Sequence, residues 1–517
     1  MTDRKPPGEP YDLAGKRLVF TNWLYVRTYL DWGYEKEGIG AVGKSESLGP
    51  WEADLKVSDL PSGIRLVAQP AERLGPLLKP ERMWEQRGIA ITTVIEEGGV
   101  YRGWGNGRSE VNQKYNCYFE SANGLDWTRP DLGLVDCEGS TKNNILDVPG
   151  VDETFKLSVF EDPAGSEGER YKAVSKDRIR RDALDAYLKR WPDDWEPGGI
   201  REYGGIVIKG AVSSDGFSWT VIEEPLVVEC SDTQVTAYYD QALGKYVMYT
   251  RAYAVGPRSP RASGDDPSRH GCKRRAIGRS ESVNFRHFPV SEVILEPGPD
   301  MPPSDVLYTN CRTTVPSAPD HHLMFPAIYH LSDDTTSVVM ASSRDGKSWN
   351  FIPGPPVLKT MAFGEWDGGC IFAHPNLIEL PNGDFVLPYT GFNFPHKYPR
   401  GQWRHLPGYA IWPKGRLVAL EAPERGEFTT VGLMTPGRKL RINALTQRAG
   451  SILVEVATLD GKPIPGHTFA ESIPVIGDQH WTPIAWKEHD EFGFEEGRAI
   501  ILRFRMDKAK IFGLEFV

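Results

Sequence analysis

The sequence predicts an all-β protein, a five-bladed β-propeller followed by a C-terminal β-sandwich. Three observations predict it. A short word, Ser-x-Asp/Asn-Gly-x-x-Trp, occurs at Ser121–Trp127, Ser213–Trp219 and Ser343–Trp349, each time after a run of β-branched and aromatic residues. Strand–turn–strand segments begin near Gly88, Thr154, Gln234, Tyr308 and His374, a spacing of roughly 70 residues that suits sheets repeated around an axis. The composition of the 517 residues, with 11% aromatic residues, 53 Gly and 41 Pro, favours a turn-rich β fold over a helical one.

Taken in order, the first strand-like stretch, GKRLVFTNWLYV (residues 15–26), is expected to complete the last blade and close the ring. Five hairpins follow, one per blade. Within each repeated word, the Asp or Asn side chain can accept hydrogen bonds from turn amides, and Gly supplies positive φ. The Trp then anchors the returning strand. A fainter copy lies in SESVNF, Ser280–Phe285, where the Gly and the Trp are gone. Two insertions break the rhythm: a charged, helix-like segment over Asp177–Pro197 and a basic Pro/Gly loop over Gly256–Arg275. Each is a candidate active-site cover or contact in a homo-oligomer. After Pro423 the alternating strands continue without the word. The expected division is therefore a propeller over residues 1–422 and a sandwich over 423–517.

Charge and composition exclude several classes of function. A net charge of −10 argues against a nucleic-acid surface. No run of about 18 apolar residues is present to span a membrane. The polar start MTDRKPPGEP has no apolar core of a signal peptide, so the chain as written reads either as cytoplasmic or as a mature form whose signal has been removed. Six cysteines without C-x-x-C spacing read as buried thiols. No phosphate-binding glycine loop, Ser-His-Asp word or dinucleotide fingerprint is present, and no cofactor is expected.

The segments WTRPDLGLVDCEGSTKNNI (Trp127–Ile145), SDTQVTAYYD (Ser231–Asp240) with KYVMYTR after it, and GSILVEVATLDGKPIPG carry a resemblance that covers nearly the whole chain. With this architecture, the chain resembles glycoside hydrolases of family 32, the fructosidase and levanase type, whose propeller is shared with the arabinanase/xylosidase family 43. The resemblance implies a glycosidase acting on a carbohydrate, exo-acting on a furanoside or related sugar. The family's Trp-Met-Asn-Asp-Pro-Asn-Gly, Arg-Asp-Pro and Glu-Cys catalytic words are absent in their usual form. EDP (Glu161–Pro163) reads as an outer-turn element, and VVEC (Val227–Cys230) leaves Glu229 as a minor candidate.

In such a ring the inner strands converge on a funnel, and glycoside cleavage there needs two carboxyls on opposite sides of the scissile bond. Acids just before the first strands are Glu85, Asp232, Asp305, Glu365 and Asp367, with Lys156 at the matching place in the second blade. Asp232 with Glu365 or Asp367 is the leading pair. Arg251, Arg312, His330 and His374 are candidates for holding hydroxyls or a substrate carboxylate, and Trp104 and Trp366 for stacking on a sugar face. Where several acids meet at the hub, a structural Ca²⁺ is the cation they would suit, since no His/Cys cluster has metal-ligand spacing. Two rivals stand beside hydrolysis. One is a lyase or transglycosylase working on a uronate- or fructose-containing glycan; the other is a sugar-binding propeller without catalysis.

Overall fold

Alternating burial along β-branched and aromatic segments makes nearly every regular element a strand. The computed structural model describes residues 8–13, 15–27, 61–151, 156–196, 200–201, 204–254, 274–399, 401–493 and 497–517. The protein is all-β apart from short helical turns and one helix, Arg181–Arg190, within the segment expected to be helical. That helix buries Leu184 and Tyr187 against the second sheet. Most of the basic Gly256–Arg275 loop lies outside the described residues.

Among the described residues, the strands ahead of the C-terminal sheet fall into five successive antiparallel groups, here called sheets; a single parallel bridge joins the first to the fifth, and the fourth is paired as two four-stranded ladders. The first comprises Gly88–Glu97, Val100–Arg108 and Lys114–Ser121. The second is built on Ser158–Glu161, Tyr171–Arg180, Gly204–Ser213 and Thr220–Val221. The third has Thr236–Asp240, Lys245–Ala254, Arg274–Ser282 and Glu292–Leu295. In the fourth, each long strand is interrupted at mid-height. Asp305–Leu307 and Arg312–Val315 form one side of a hairpin, and Ala318–Met324 and Ala327–His330 form the other. Thr335–Val338 and Ala341–Ser343 continue it, followed by Trp349–Phe351 and Leu358–Lys359. The fifth contains Cys370–Ala373 with Ile378–Glu379, then Phe385–Phe392, His405–Trp412 and Glu72–Leu74.

Side chains pin each sheet to the next. The Thr93 hydroxyl accepts from the Val159 amide at 3.2 Å, and the Tyr246 hydroxyl donates to Asp162 at 2.7 Å. Thr236 bonds Asn310 at 2.8 Å, and the Thr336 hydroxyl donates to the Ile371 carbonyl at 2.8 Å. The circuit returns to its start through Asn376, which donates to the Val94 carbonyl at 3.1 Å, and through a bridge between His405 and Gly88. Gly88 must be glycine there: a Cβ would lie 2.3 Å from the His405 ring.

The recurring word is the corner piece of this circuit. In Ser213–Trp219, Asp215 accepts from the amides of Phe217 and Ser218, and Gly216 takes φ +82°. The Gly216 carbonyl then receives both the Trp219 indole at 3.1 Å and, from the preceding sheet, the Trp104 indole at 2.7 Å. Ser343–Trp349 repeats the arrangement: the Gly346 carbonyl receives Trp349 at 3.0 Å and Tyr249 of the third sheet at 2.8 Å. The faint copy starts at Ser282 rather than Ser280. Ser282 bonds Asn284, Phe285 takes φ +52° in the glycine place, and Phe288 stands buried where the others have Trp. The fifth sheet has no copy because its outer strand, Glu72–Leu74, arrives from the N-terminal side, so no turn of its own leads to it.

That strand corrects one expectation. GKRLVFTNWLYV does not close the circuit. Arg17–Leu18 pairs with Leu514–Glu515, and Val26 bridges Thr430, so this stretch joins the C-terminal sheet. Its alternation reflects burial of Leu18, Phe20 and Val26 beneath that sheet. The C-terminal sheet also takes in Arg65–Ala68, and its strand Val418–Thr429 runs across the expected 422/423 boundary. Val418–Thr429, Leu440–Ala457 and Ile501–Phe516 all break register at one level, opposite Asp507–Ala509. Such bulges bend a sheet. Its hydrophobic residues share one core with the fourth and fifth sheets, where Phe325, Val338 and Trp412 meet Phe428, Val454 and Phe504.

Candidate functional site

A cavity of about 360 Å³ opens where the five sheets meet. The first sheet contributes Asn106, Arg108 and Lys114; the second, Lys156, Ser175 and Lys176; the third, Asp232, Thr233 and Gln234. Tyr308 comes from the fourth, and the fifth adds His374 and His405 together with His396 and Trp403 of its long connecting loop. Gln234 fixes the floor. Its amide donates to the Ala373 carbonyl at 2.9 Å and accepts from the Cys311 amide at 2.6 Å, so one side chain locks the third, fourth and fifth sheets together.

The cavity has two chemically distinct sides. On one, Arg108, Lys114, Lys156 and Lys176 lie close enough to repel one another. Lys156 opens to the cavity, yet protein surrounds it. Loss of hydration, followed by the fields of Lys114, Arg108 and Lys176, lowers its ammonium pKa to about 8. Among the described residues neither Lys156 nor Lys176 has a carboxylate partner. Burial first, and then the charge of Lys156, hold His374 and His405 down at about 3, so both imidazoles are neutral near pH 7. His374 bonds Thr390 at 2.7 Å. His405 is 5% exposed; among the described residues its Nδ1 has no hydrogen-bond partner, and the buried Thr233 hydroxyl has none either. Arg108 lies 4.2 Å over the Trp403 ring. On the other side, Asp232 is ion-paired with Arg251, whose guanidinium also donates to the Cys230 carbonyl.

Of the residues expected from sequence, Asp232, Lys156 and His374 come together in this cavity. The carboxylate pair does not assemble. Glu365 is exposed, outside the cavity lining, and Asp367 is 1% exposed between Arg73 at 2.8 Å and the Tyr389 hydroxyl at 2.9 Å. Asp305 is tied to His330 at 3.0 Å, and His330 to Ser337 at 2.9 Å. Glu85 is fully buried, bonding Arg129 at 2.8 Å and the amides of Glu81 and Arg82. Each of these three acids is held by partners of its own, away from the cavity lining. Trp104 is fully buried on the Gly216 corner, and Trp366 stacks on Tyr389. Arg312 covers the Tyr238 ring at 3.3 Å. Among the described residues Glu365, Asp367, Asp305 and Glu85 do not line the cavity, so these acids do not form the oxygen cluster there that Ca²⁺ would suit. Among the described residues no group of three His, Cys, Asp or Glu side chains is placed to hold a metal.

Arg108, Lys114, Lys176, His405 and Trp403 were not among the expected site residues. A signal existed: Lys156 occupies the position that carries acids in the other units, a sign reversal that marks the neighbouring inner positions for inspection. Asp162 of EDP and Glu229 of VVEC are buried in structural roles. Asp162 forms an ion pair with Lys172 at 2.6 Å, both nearly fully buried. Glu229 is enclosed, bonded by Thr250 at 2.5 Å and the Ser291 amide at 3.0 Å. The five described cysteines are free thiols.

No family profile matches the chain, and no curated protein matches it. Similar solved structures include one named as a glycoside hydrolase, 14% identical over 67% of this chain and 92% of that one, with a TM-score of 0.42. Another is an N-acetylgalactosamine deacetylase from F. plautii in complex with blood group B trisaccharide, 12% identical over 68% of this chain and 96% of that one, TM-score 0.40. A glycosyl hydrolase from Bacteroides ovatus is 12% identical over 67% and 94%, TM-score 0.39. At these values the likeness assigns neither fold nor activity.

Proposed function

We propose that the protein is a carbohydrate-active enzyme of the glycosidase type. In this reading the five sheets are the blades of a propeller, the bent C-terminal sheet with its N-terminal strands is a sandwich, and the hub cavity receives the end of a glycan. The observation that supports it best is the cavity itself. All five sheets contribute to it, and its size falls in the roughly 300–1,000 Å³ range of small-molecule sites. A cavity of that size at the meeting of the sheets suits a chain end better than a chain middle, in keeping with exo action.

Asp232 is the carboxylate, among the described residues, that reaches this space. It serves as the base: it takes a proton from water, the water oxygen attacks the anomeric carbon, and the glycosidic C–O bond breaks. The departing oxygen takes its proton from water, which leaves Lys156, with a pKa near 8 and so charged at neutral pH, free to hold the substrate. The test is release of reducing ends from an oligosaccharide panel. Asp232→Asn is expected to lower kcat by about 10²-fold or more, whereas Glu365→Gln leaves it unchanged. Equal activity of wild type and Asp232→Asn would sink this reading.

One observation, the unassembled carboxylate pair, favours a second chemistry on the same substrates. In β-elimination a cation neutralises a uronate carboxylate and a base removes the adjacent ring proton. The glycosidic bond breaks to leave a ring double bond, and the departing oxygen is protonated. Ultraviolet absorbance of an unsaturated uronate, without added water in the product, would select it.

A further inference from the structure

We propose that the wall formed by the first, second and fifth sheets is a seat for an oxyanion on the terminal sugar, a carboxylate or a phosphate, held by Lys156 and Lys176. This rests on the reading of the hub as a glycan site and names its substrate class. A protein of net charge −10 gathers four cations at its centre, two of them without a carboxylate partner among the described residues. Unpaired like charges held together disfavour the empty state, and a bound anion relieves the repulsion. Buried groups of the same cavity point the same way. Among the described residues the His405 Nδ1 and the Thr233 hydroxyl have no partner, a costly arrangement unless a ligand or water completes it. Asp232 stands apart from this wall, in the fields of Arg251, Tyr253 and Tyr308. A sugar whose oxyanion meets the lysines therefore presents its opposite side to the carboxylate. The neutral fructosides implied by the sequence resemblance have no group that would use such a wall.

The experiment is isothermal titration of the full chain with glucuronate, a glucose phosphate, inorganic phosphate and glucose. A charged sugar is expected to bind on the order of tenfold or more tighter than glucose, as hydrogen bonds to charged groups allow. Raised salt should weaken it, and Lys156→Met and Lys176→Met should each abolish the preference. Glucuronate and glucose phosphate tell carboxylate from phosphate. If inorganic phosphate binds through both lysines while no sugar adds affinity, the anion seat stands and the glycan reading falls. If glucose binds as tightly as its charged counterparts, or neither lysine variant alters the preference, the seat is overturned while a glycan site survives. Folding of the variants is followed by Tm. Lys156→Met removes a repelled charge and should melt no lower than wild type, and Lys176→Met gives an independent reading.

Discussion

Single residues decide the chemistry. Asp232 shares its ion pair with an arginine buried behind it, while Asp367 and Glu85 are closed off by their own partners. A sequence shows an acid beside a strand start in every such case; which acids are neutralised depends on arginines far away in the chain, Arg73 for Asp367 and Arg129 for Glu85. That is why, of the residues expected at the site, only Asp232, Lys156 and His374 line the cavity. Two pH dependences belong here. Lys156 faces Arg108 and Lys114 from the first sheet, Lys176 from its own, and His374 and His405 from the fifth, with Asp232 across the cavity. The histidines stay neutral down to about 3, so loss of the Lys156 charge makes anion affinity fall as pH rises through about 8. Titrations on either side of that value check it, and a pH-independent affinity would contradict it. Glu229, away from the cavity, is raised by burial to about 7 against the opposing bonds of Thr250 and Ser291. The folded state holds a proton there that the unfolded chain has released, so its contribution to stability is full below the ordinary carboxyl range and is lost as pH rises to about 7. Denaturant melts across that window should show a shallower decline in Glu229→Gln; an unchanged slope would count against this assignment.

Elements carry the repeat. The word at each sheet corner was readable because its parts are local: an Asx acceptor, a positive-φ residue and an aromatic anchor within seven positions. What was not readable is the second donor on the corner carbonyl, which comes from the preceding sheet, as Trp104 does for Gly216. Trp104 drew notice as a sugar platform for that reason; large aromatics serve both purposes and the sequence does not tell them apart. Trp104→Ala should lower stability by about 3–5 kcal/mol, the usual cost of emptying a buried aromatic site, and leave the cavity chemistry in place. Gly216→Ala should cost about 1–2 kcal/mol from the left-handed backbone alone, and more because a Cβ there would lie 2.8 Å from the Trp104 ring. Chemical denaturation of both variants measures this. A loss of sugar turnover with unchanged stability would return Trp104 to the site.

At the scale of the molecule, the all-β class was legible, because period-2 alternation and turn residues are written along the chain. The closure was not. Glu72–Leu74 is three residues long and gives no strand signal of its own, whereas residues 15–26 look like a strand and serve the other sheet. Long-range pairing also joins the two parts. Since one core spans the C-terminal sheet and the fourth and fifth units, calorimetry should show a single cooperative transition, and deleting residues 423–517 should unfold the remainder instead of leaving a stable N-terminal part. Two separate transitions would show that the shared core does not couple them. The overall negative charge with a cationic centre also focuses the field on the cavity, drawing anions inward past an otherwise repelling surface.

The central claim, that the meeting point of the five sheets takes an acidic sugar, is tested most directly by a crystal structure of the protein soaked with glucuronate. The sugar should sit in the hub cavity with its carboxylate on Lys156 and Lys176 and its anomeric side toward Asp232. A sugar bound elsewhere on the protein, or one lying in the cavity with its carboxylate turned to Arg251, would contradict it.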